Sequence, residues 1–376
     1  MKTAKSLLSL LLLSLMVFLL GGCTGKEEKK IKEAVTNELD QLKKLDSGTT
    51  QKYISYKELF PGDVGSTEQP DDITEVFSLF FRDFDYKLLD IRVDKEKGTA
   101  QADLRLVTLD AQALARDFSK AQLKREIFLA ADSESTEEAT VTLEDRYLIL
   151  SDLLNTTDYG TVERNCTIQL TSSGEGDSQS WEIKRTYTLE NDLVGGLMTY
   201  LSDPDILSPQ ETLCVYLETL KTMNTEEISN YLIAESIKDS EDTDKIKIAQ
   251  ALVEQVYAFF DYEVKEEEIS GYQAVVTADV TTFDSDSILS GYQGRLDEYL
   301  SSADAVIDGA QKRYEKSYEM LLEEIQSNKK AKTVKTQFRL TNDGASWKLE
   351  DAGTVLGDAI FGTLATSPVE ENTDSQ

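Results

Sequence analysis

Two adjacent pairs in this 376-residue chain set a carboxylate beside a phenol: Asp85-Tyr86 and, 176 positions later, Asp261-Tyr262. Such groups can serve as general acid and base when their pKa values lie near the working pH. At a junction between helix and strand they have a simpler use, Asp as a backbone cap and Tyr as a packed aromatic. The double occurrence fits that structural role better. Asp103 and Asp279 fall in β-like runs, where a carboxylate faces either solvent or an interior cavity. Trp181 and Trp347 follow hairpin turns and suit either a carbohydrate platform or a core pillar. The candidates for lining a ligand cavity are therefore Asp103, Asp279, Tyr86, Tyr262, Trp181 and Trp347. No residue is assigned a catalytic role.

Other chemistries are excluded or weak. The chain has no histidine, which removes Ser-His-Asp and Cys-His catalysis and histidine ligation of metals. Asp239-Ser240-Glu241-Asp242-Thr243-Asp244 and Asp284-Ser285-Asp286 offer the hard oxygens that suit calcium. They lack the glycine and the bidentate glutamate of an EF-hand loop, and read as solvated loops or helix starts. No metal and no cofactor is expected. Of the three cysteines, Cys166 lies in a strand-like run and Cys214 on the apolar face of a helix, which points to two separately buried thiols.

The charge balance restricts the partners. With 70 acidic against 39 basic side chains the net charge is −31, so nucleic acid and anionic lipid headgroups are repelled, while cations and basic partners remain open. The start of the chain differs from the rest. Lys2 and Lys5 precede an apolar run from Leu7 to Leu20, within the ~7–15 residues of a signal segment and short of the ~20 that span a bilayer. The run ends in Leu20-Gly21-Gly22-Cys23.

This pattern resembles the lipobox of bacterial lipoproteins, in which an aliphatic residue and two small ones precede the cysteine that becomes the new N-terminus. The resemblance implies that residues 1–22 are a removed signal peptide and that Cys23 is lipidated, with palmitate-type acyl chains. Two acyl chains, at about 0.8 kcal/mol per buried CH₂, give stable anchoring. Residues 23–30 then form a solvated, lipidated tether, and the partner of Cys23 is the bilayer at the extracytoplasmic face of the cell membrane.

Around the candidate residues the chain resembles itself. Val76, Phe77, Phe80, Phe81 and Phe84 match Leu252, Val253, Val256, Tyr257 and Phe260, one face of an amphipathic helix in each case. Leu39, Leu42, Leu45 and Tyr53 match Leu217, Leu220, Met223 and Tyr231. Both tryptophans fall at matching places after a strand and turn. Each copy reads as helices (31–46 and 210–223; 49–55 and 225–237; 71–84 and 244–260), a strand pair (86–108 and 262–283), a helical stretch and a final hairpin. In the second copy the stretch reads as one helix of about 35 residues with Leu296, Tyr299, Ala303, Ile307 and Ala310 on one face. In the first, Asp132-Ser133-Glu134-Ser135 breaks it in two. The division is a first α+β repeat at 31–201, a linker at 202–209 marked by Pro204 and Pro209, a second repeat at 210–366 and a disordered tail at 367–376.

Helices followed by a twisted antiparallel sheet make an α+β plan. With the leader, this order resembles the NTF2-like cone fold of Gram-positive lipoproteins, from which the long inserted helix departs. The resemblance implies a cavity between sheet and helices. The expected function is a non-catalytic envelope module that binds a ligand or a protein. Two alternatives stand beside it, an enzyme with an Asp/Tyr site in one cavity and a structural spacer without a cavity.

Overall fold

The computed structural model describes residues 25–45, 48, 53, 59–60, 73–132, 140–174, 178–232 and 243–365. The signal segment, Cys23, the acidic positions 239–242 and the tail lie outside them. The described residues fold as two compact units. Unit one comprises residues up to Phe118 together with Thr142–Ser202, and unit two comprises Ser119–Val141 with everything from Asp203.

Unit one is built on a four-stranded antiparallel sheet in the order β1 (Asp85–Asp94), β2 (Thr99–Leu109), β3 (Thr161–Ser173), β4 (Ser180–Ile183). Strand alternation puts Ala100, Ala102, Leu104 and Leu106 of β2 on one face with Cys166, Ile168 and Leu170 of β3, all buried. A helix over residues 25–43 covers the core with Ile31, Val35, Leu39 and Leu42, spaced to share one helical face. Residues 25–30, expected as tether, are its first turns. The helix Ile73–Phe80 packs against Leu143–Thr156, which starts in a capping box between Thr142 and Asp145. After β4, the helices Tyr187–Leu193 and Leu197–Leu201 are joined through Gly195 and Gly196, both at positive φ. A Cβ on Gly195 would sit 2.9 Å from the Leu109 carbonyl, so only glycine fits.

Unit two has the same strand order, β5 (Asp261–Ser270), β6 (Gln273–Phe283), β7 (Ala331–Asn342), β8 (Trp347–Leu349). Each first strand carries a bulge at a matching place, between Leu88 and Asp90 in β1 and between Val264 and Glu266 in β5. The hairpin turns differ. Four residues join β1 to β2, whereas Gly271-Tyr272 alone joins β5 to β6, with Gly271 at φ +63° as a type II′ turn requires.

The helix Ala111–Ala131 has residues 111–118 in unit one and 119–131 in unit two. Ile127 and Ala131 bury in unit two's core with Leu213, Leu217 and Leu220 of the helix Pro209–Thr222. Residues 119–131, read from the sequence as part of the first repeat, are grouped with unit two. Of the expected linker, Ile206 and Leu207 are buried, and Ser208 with Glu211 makes a capping box for the next helix.

The single long helix expected in unit two is three: Ser285–Leu300, Ala303–Ile307 and Ala310–Ser327. Ser302 caps the second by accepting from the Ala305 amide, and Gly309 precedes the third. Asp308 is buried at the turn, where it accepts from the Tyr299 hydroxyl and both Lys312 and Lys316, each at 2.8 Å. The apolar period runs through the break, but Ile307 is 81% exposed, so it marks no continuous face. No described helix is long and apolar enough to cross a membrane.

Candidate functional site

The two carboxylate–phenol pairs occupy equivalent places, each at the start of a first strand beside the helix that covers the sheet. In unit one, the helix 25–43 presents Asp40 and Lys43 one turn apart. Lys43 Nζ lies 2.8 Å from Asp85 Oδ1, and the Tyr86 hydroxyl donates to Asp40 Oδ1 at 2.7 Å. In unit two, the helix Pro209–Thr222 presents Glu218 and Lys221 in the same way. Lys221 Nζ lies 2.8 Å from Asp261 Oδ1, and the Tyr262 hydroxyl donates to Glu218 Oε1 at 2.8 Å. The phenols stack on the preceding aromatics, Tyr86 on Phe84 at 6.3 Å and Tyr262 on Phe260 at 6.4 Å.

The electrostatics follow from these partners. The bonded Lys43 and Lys221 hold Asp85 and Asp261 below the usual carboxylate range, assisted by a backbone amide in each case. Burial, then the carboxylate acceptor, pushes both phenols above their ordinary value. The carboxylate pKa is moved down and the phenol pKa up, both away from the near-neutral range that proton transfer needs. Chemically, each set is a latch that ties helix to sheet.

Asp103 and Asp279 stand on the sheet faces opposite the core. Asp103 pairs with Arg92 at 2.8 Å and accepts from Thr167 Oγ1 at 2.8 Å, and Asp279 lies 3.4 Å from Lys265. They also occupy different register positions. Leu104 pairs with Leu88 just before the bulge of β1, and Ala278 pairs with Val264 just before that of β5. Matched by register, the counterpart of Asp103 is Thr277 and that of Asp279 is Arg105. The shorter β5–β6 turn produces this two-residue shift, which preserves the face and so hides in the alternation.

Trp181 and Trp347 are register equivalents, facing Ser172 and Asn342 on the neighbouring strands. Both are buried, with little ring surface for a carbohydrate. Trp347 Nε1 donates to Asp205 Oδ1 at 2.9 Å, whereas Trp181 Nε1 has no partner among the described residues. Among the described residues, no group of three acidic or cysteine side chains is placed to hold a metal. Asp284 instead caps the helix Ser285–Leu300, and Asp286 pairs with Lys332.

Reading the sequence missed the helix partners of the latches, although Asp40 with Lys43 and Glu218 with Lys221 share one offset of 178. It also missed a polar cluster confined to unit one, in which Cys166, Asp192 and Arg164 lie close enough to act on one another electrostatically. Cys166 and Cys214 are both free thiols, and Cys166 is the more buried. Burial first, then the adjacent Asp192, pushes the Cys166 thiol up to about 12. Burial likewise raises Asp192. At the matching register, unit two has Val334 for Arg164 and Thr336 for Cys166.

No family model matches the chain, and no curated protein does. Among solved structures, a candidate lipoprotein (YcdA) from Bacillus subtilis matches at 13% identity, covering 74% of this chain and 96% of that one, with a TM-score of 0.25. Similarity at that level defines neither a fold nor a function.

Proposed function

We propose that this chain is a lipoprotein held at the extracytoplasmic face of the cell membrane by acyl chains on Cys23. The observation that carries the reading is Leu20-Gly21-Gly22-Cys23 at the end of a short apolar run behind two lysines. Above the anchor, the two units act as a non-catalytic binding module for a ligand or protein of the envelope, and are copies of one NTF2-like plan. Shared strand order, matched bulges and duplicated latches support the duplication. The shift of the latch pKa values away from the near-neutral range supports the non-catalytic reading. An active site would need a polar set found in one unit only. Arg164, Cys166 and Asp192 form such a set, but the Cys166 thiol is raised, which suppresses the thiolate that a nucleophile needs.

The test is the full chain expressed in a bacterium, compared with Cys23→Ala. The wild-type chain enters the detergent phase, and its mature N-terminal peptide carries a diacylglyceryl mass on Cys23. The variant stays uncleaved or water-soluble. A mature N-terminus elsewhere, or an unmodified Cys23, contradicts the reading.

A further inference from the structure

The helix 25–43 of unit one begins two residues beyond Cys23, and contacts with the rest of the unit begin by Glu27, four residues beyond it. Glu27 lies 3.4 Å from Lys95 in the β1–β2 turn, and Lys30 Nζ donates to the Gln179 carbonyl just before β4 at 2.9 Å. At the other end of the same helix Lys43 pairs with Asp85, where β1 begins. Helix and strand therefore run the length of the unit together, about 30 Å by their rises per residue. The link from Cys23 to residue 25 spans at most about 7 Å.

We propose that the turn end of unit one, formed by the first helical turns, the β1–β2 turn and the start of β4, rests on an anionic bilayer surface. This rests on the Cys23 reading. A link that short leaves the first helical turns within reach of the headgroups and places the Asp85 end about 30 Å further out. Charge supports the same orientation. Among the described residues, Lys26, Lys29, Lys30, Lys95 and Lys97 stand at this end against Glu27, Glu28, Asp94 and Glu96, in a chain of net charge −31. The near-neutral end can approach anionic headgroups that repel the acid-rich remainder.

The experiment uses the acylated full chain in vesicles of phosphatidylglycerol and phosphatidylethanolamine with a nitroxide on the headgroup. A fluorophore is attached at Lys97→Cys or at Asp83→Cys, both exposed, with Cys166 and Cys214 replaced by Ala. The label at position 97 is quenched several-fold more than that at 83. A twelve-residue Gly-Ser insertion after Thr24, about 19 Å in root-mean-square length, removes the difference. Hydrogen exchange on the chain with its native cysteines gives a second readout. Amides of 94–99 exchange more slowly on vesicles than in soluble Cys23→Ser, and those of 157–160 do not change. Equal quenching, or stronger quenching at 83, with the chain acylated and vesicle-bound overturns the orientation alone. A chain that carries no acyl group and fails to sediment with vesicles overturns the anchor and the orientation together.

Discussion

Trp181 and Trp347 hold the same place in their sheets, yet the lead-in segments of the two units treat them differently. In unit two, Asp205 accepts from the Trp347 indole and from Asn342 Nδ2 at 3.2 Å, tying the incoming chain to the final hairpin. In unit one, the position 178 residues earlier is Glu27, whose carboxylate turns to Lys95 and leaves the indole without an acceptor among the described residues. A second contrast lies beneath them, where Ala102 faces Ile168 in unit one and Val276 faces Phe338 in unit two. Two sheets of the same strand order thus hold different core volumes and different clamps, each with regular alternation and a helix-to-sheet latch.

Core truncation should separate the units most strongly. Phe338→Ala is expected to lower stability by about 3–5 kcal/mol, and Ile168→Ala by about 2–5 kcal/mol with a smaller cavity. Urea unfolding followed through Trp347 for the first and Trp181 for the second reads each loss in its own unit. Equal losses would erase the volume contrast.

The clamp comes next. Asp205→Ala strands the Trp347 indole N–H and should lower stability by about 1–2 kcal/mol. Glu27→Ala, which breaks only a part-exposed ion pair, should change stability by less than about 1 kcal/mol. If the two losses match in denaturant midpoints, the clamp is not specific to unit two.

The latches should behave alike. Tyr86→Phe and Tyr262→Phe are each expected to lower stability by up to about 1 kcal/mol. The phenols are raised in the folded state, so their contribution is complete below the unfolded value of about 10 and is lost as pH rises past it. Phenolate absorbance of the wild type should therefore lag behind that of the unfolded chain on alkaline titration. For Asp85 and Asp261, whose pKa values are lowered, the stabilising contribution is present above about 3.9 and fades as pH falls further.

Thiol chemistry gives the mildest contrast. Cys166 is buried and Cys214 half-buried, so a maleimide at pH 8 should label Cys214 first. Faster labelling of Cys166 would mean that the unit-one cluster is open.

Much of this was legible in the chain because it obeys simple periods. Val76, Phe80 and Phe84 mark the aromatic helix and its exit, and all three are buried. Both tryptophans fall where their shared spacing puts them. The misreadings have physical causes. Lys26-Glu27-Glu28-Lys29-Lys30 reads as a tether by charge, but Lys and Glu are good helix formers, and contacts with Lys95 and Gln179 draw the segment into the fold. Asp103 and Asp279 look equivalent because a two-residue register shift leaves the face unchanged. The three helices of unit two read as one because apolar spacing persists through Ser301-Ser302 and Asp308-Gly309, where capping takes over. The buried role of Asp308 depends on Tyr299 and Lys316, partners brought together only by folding.

That the helix Ala111–Ala131 supplies two cores is the claim on which the comparison of units rests, and hydrogen exchange tests it most directly. Leu114 and Ile127 lie thirteen residues apart on that helix and are both buried. Leu114→Ala should speed exchange of the β2 and β3 amides, and Ile127→Ala those of β6 and β7. A change in β2 and β3 for both variants, with β6 and β7 untouched, would assign the whole helix to unit one and contradict the division.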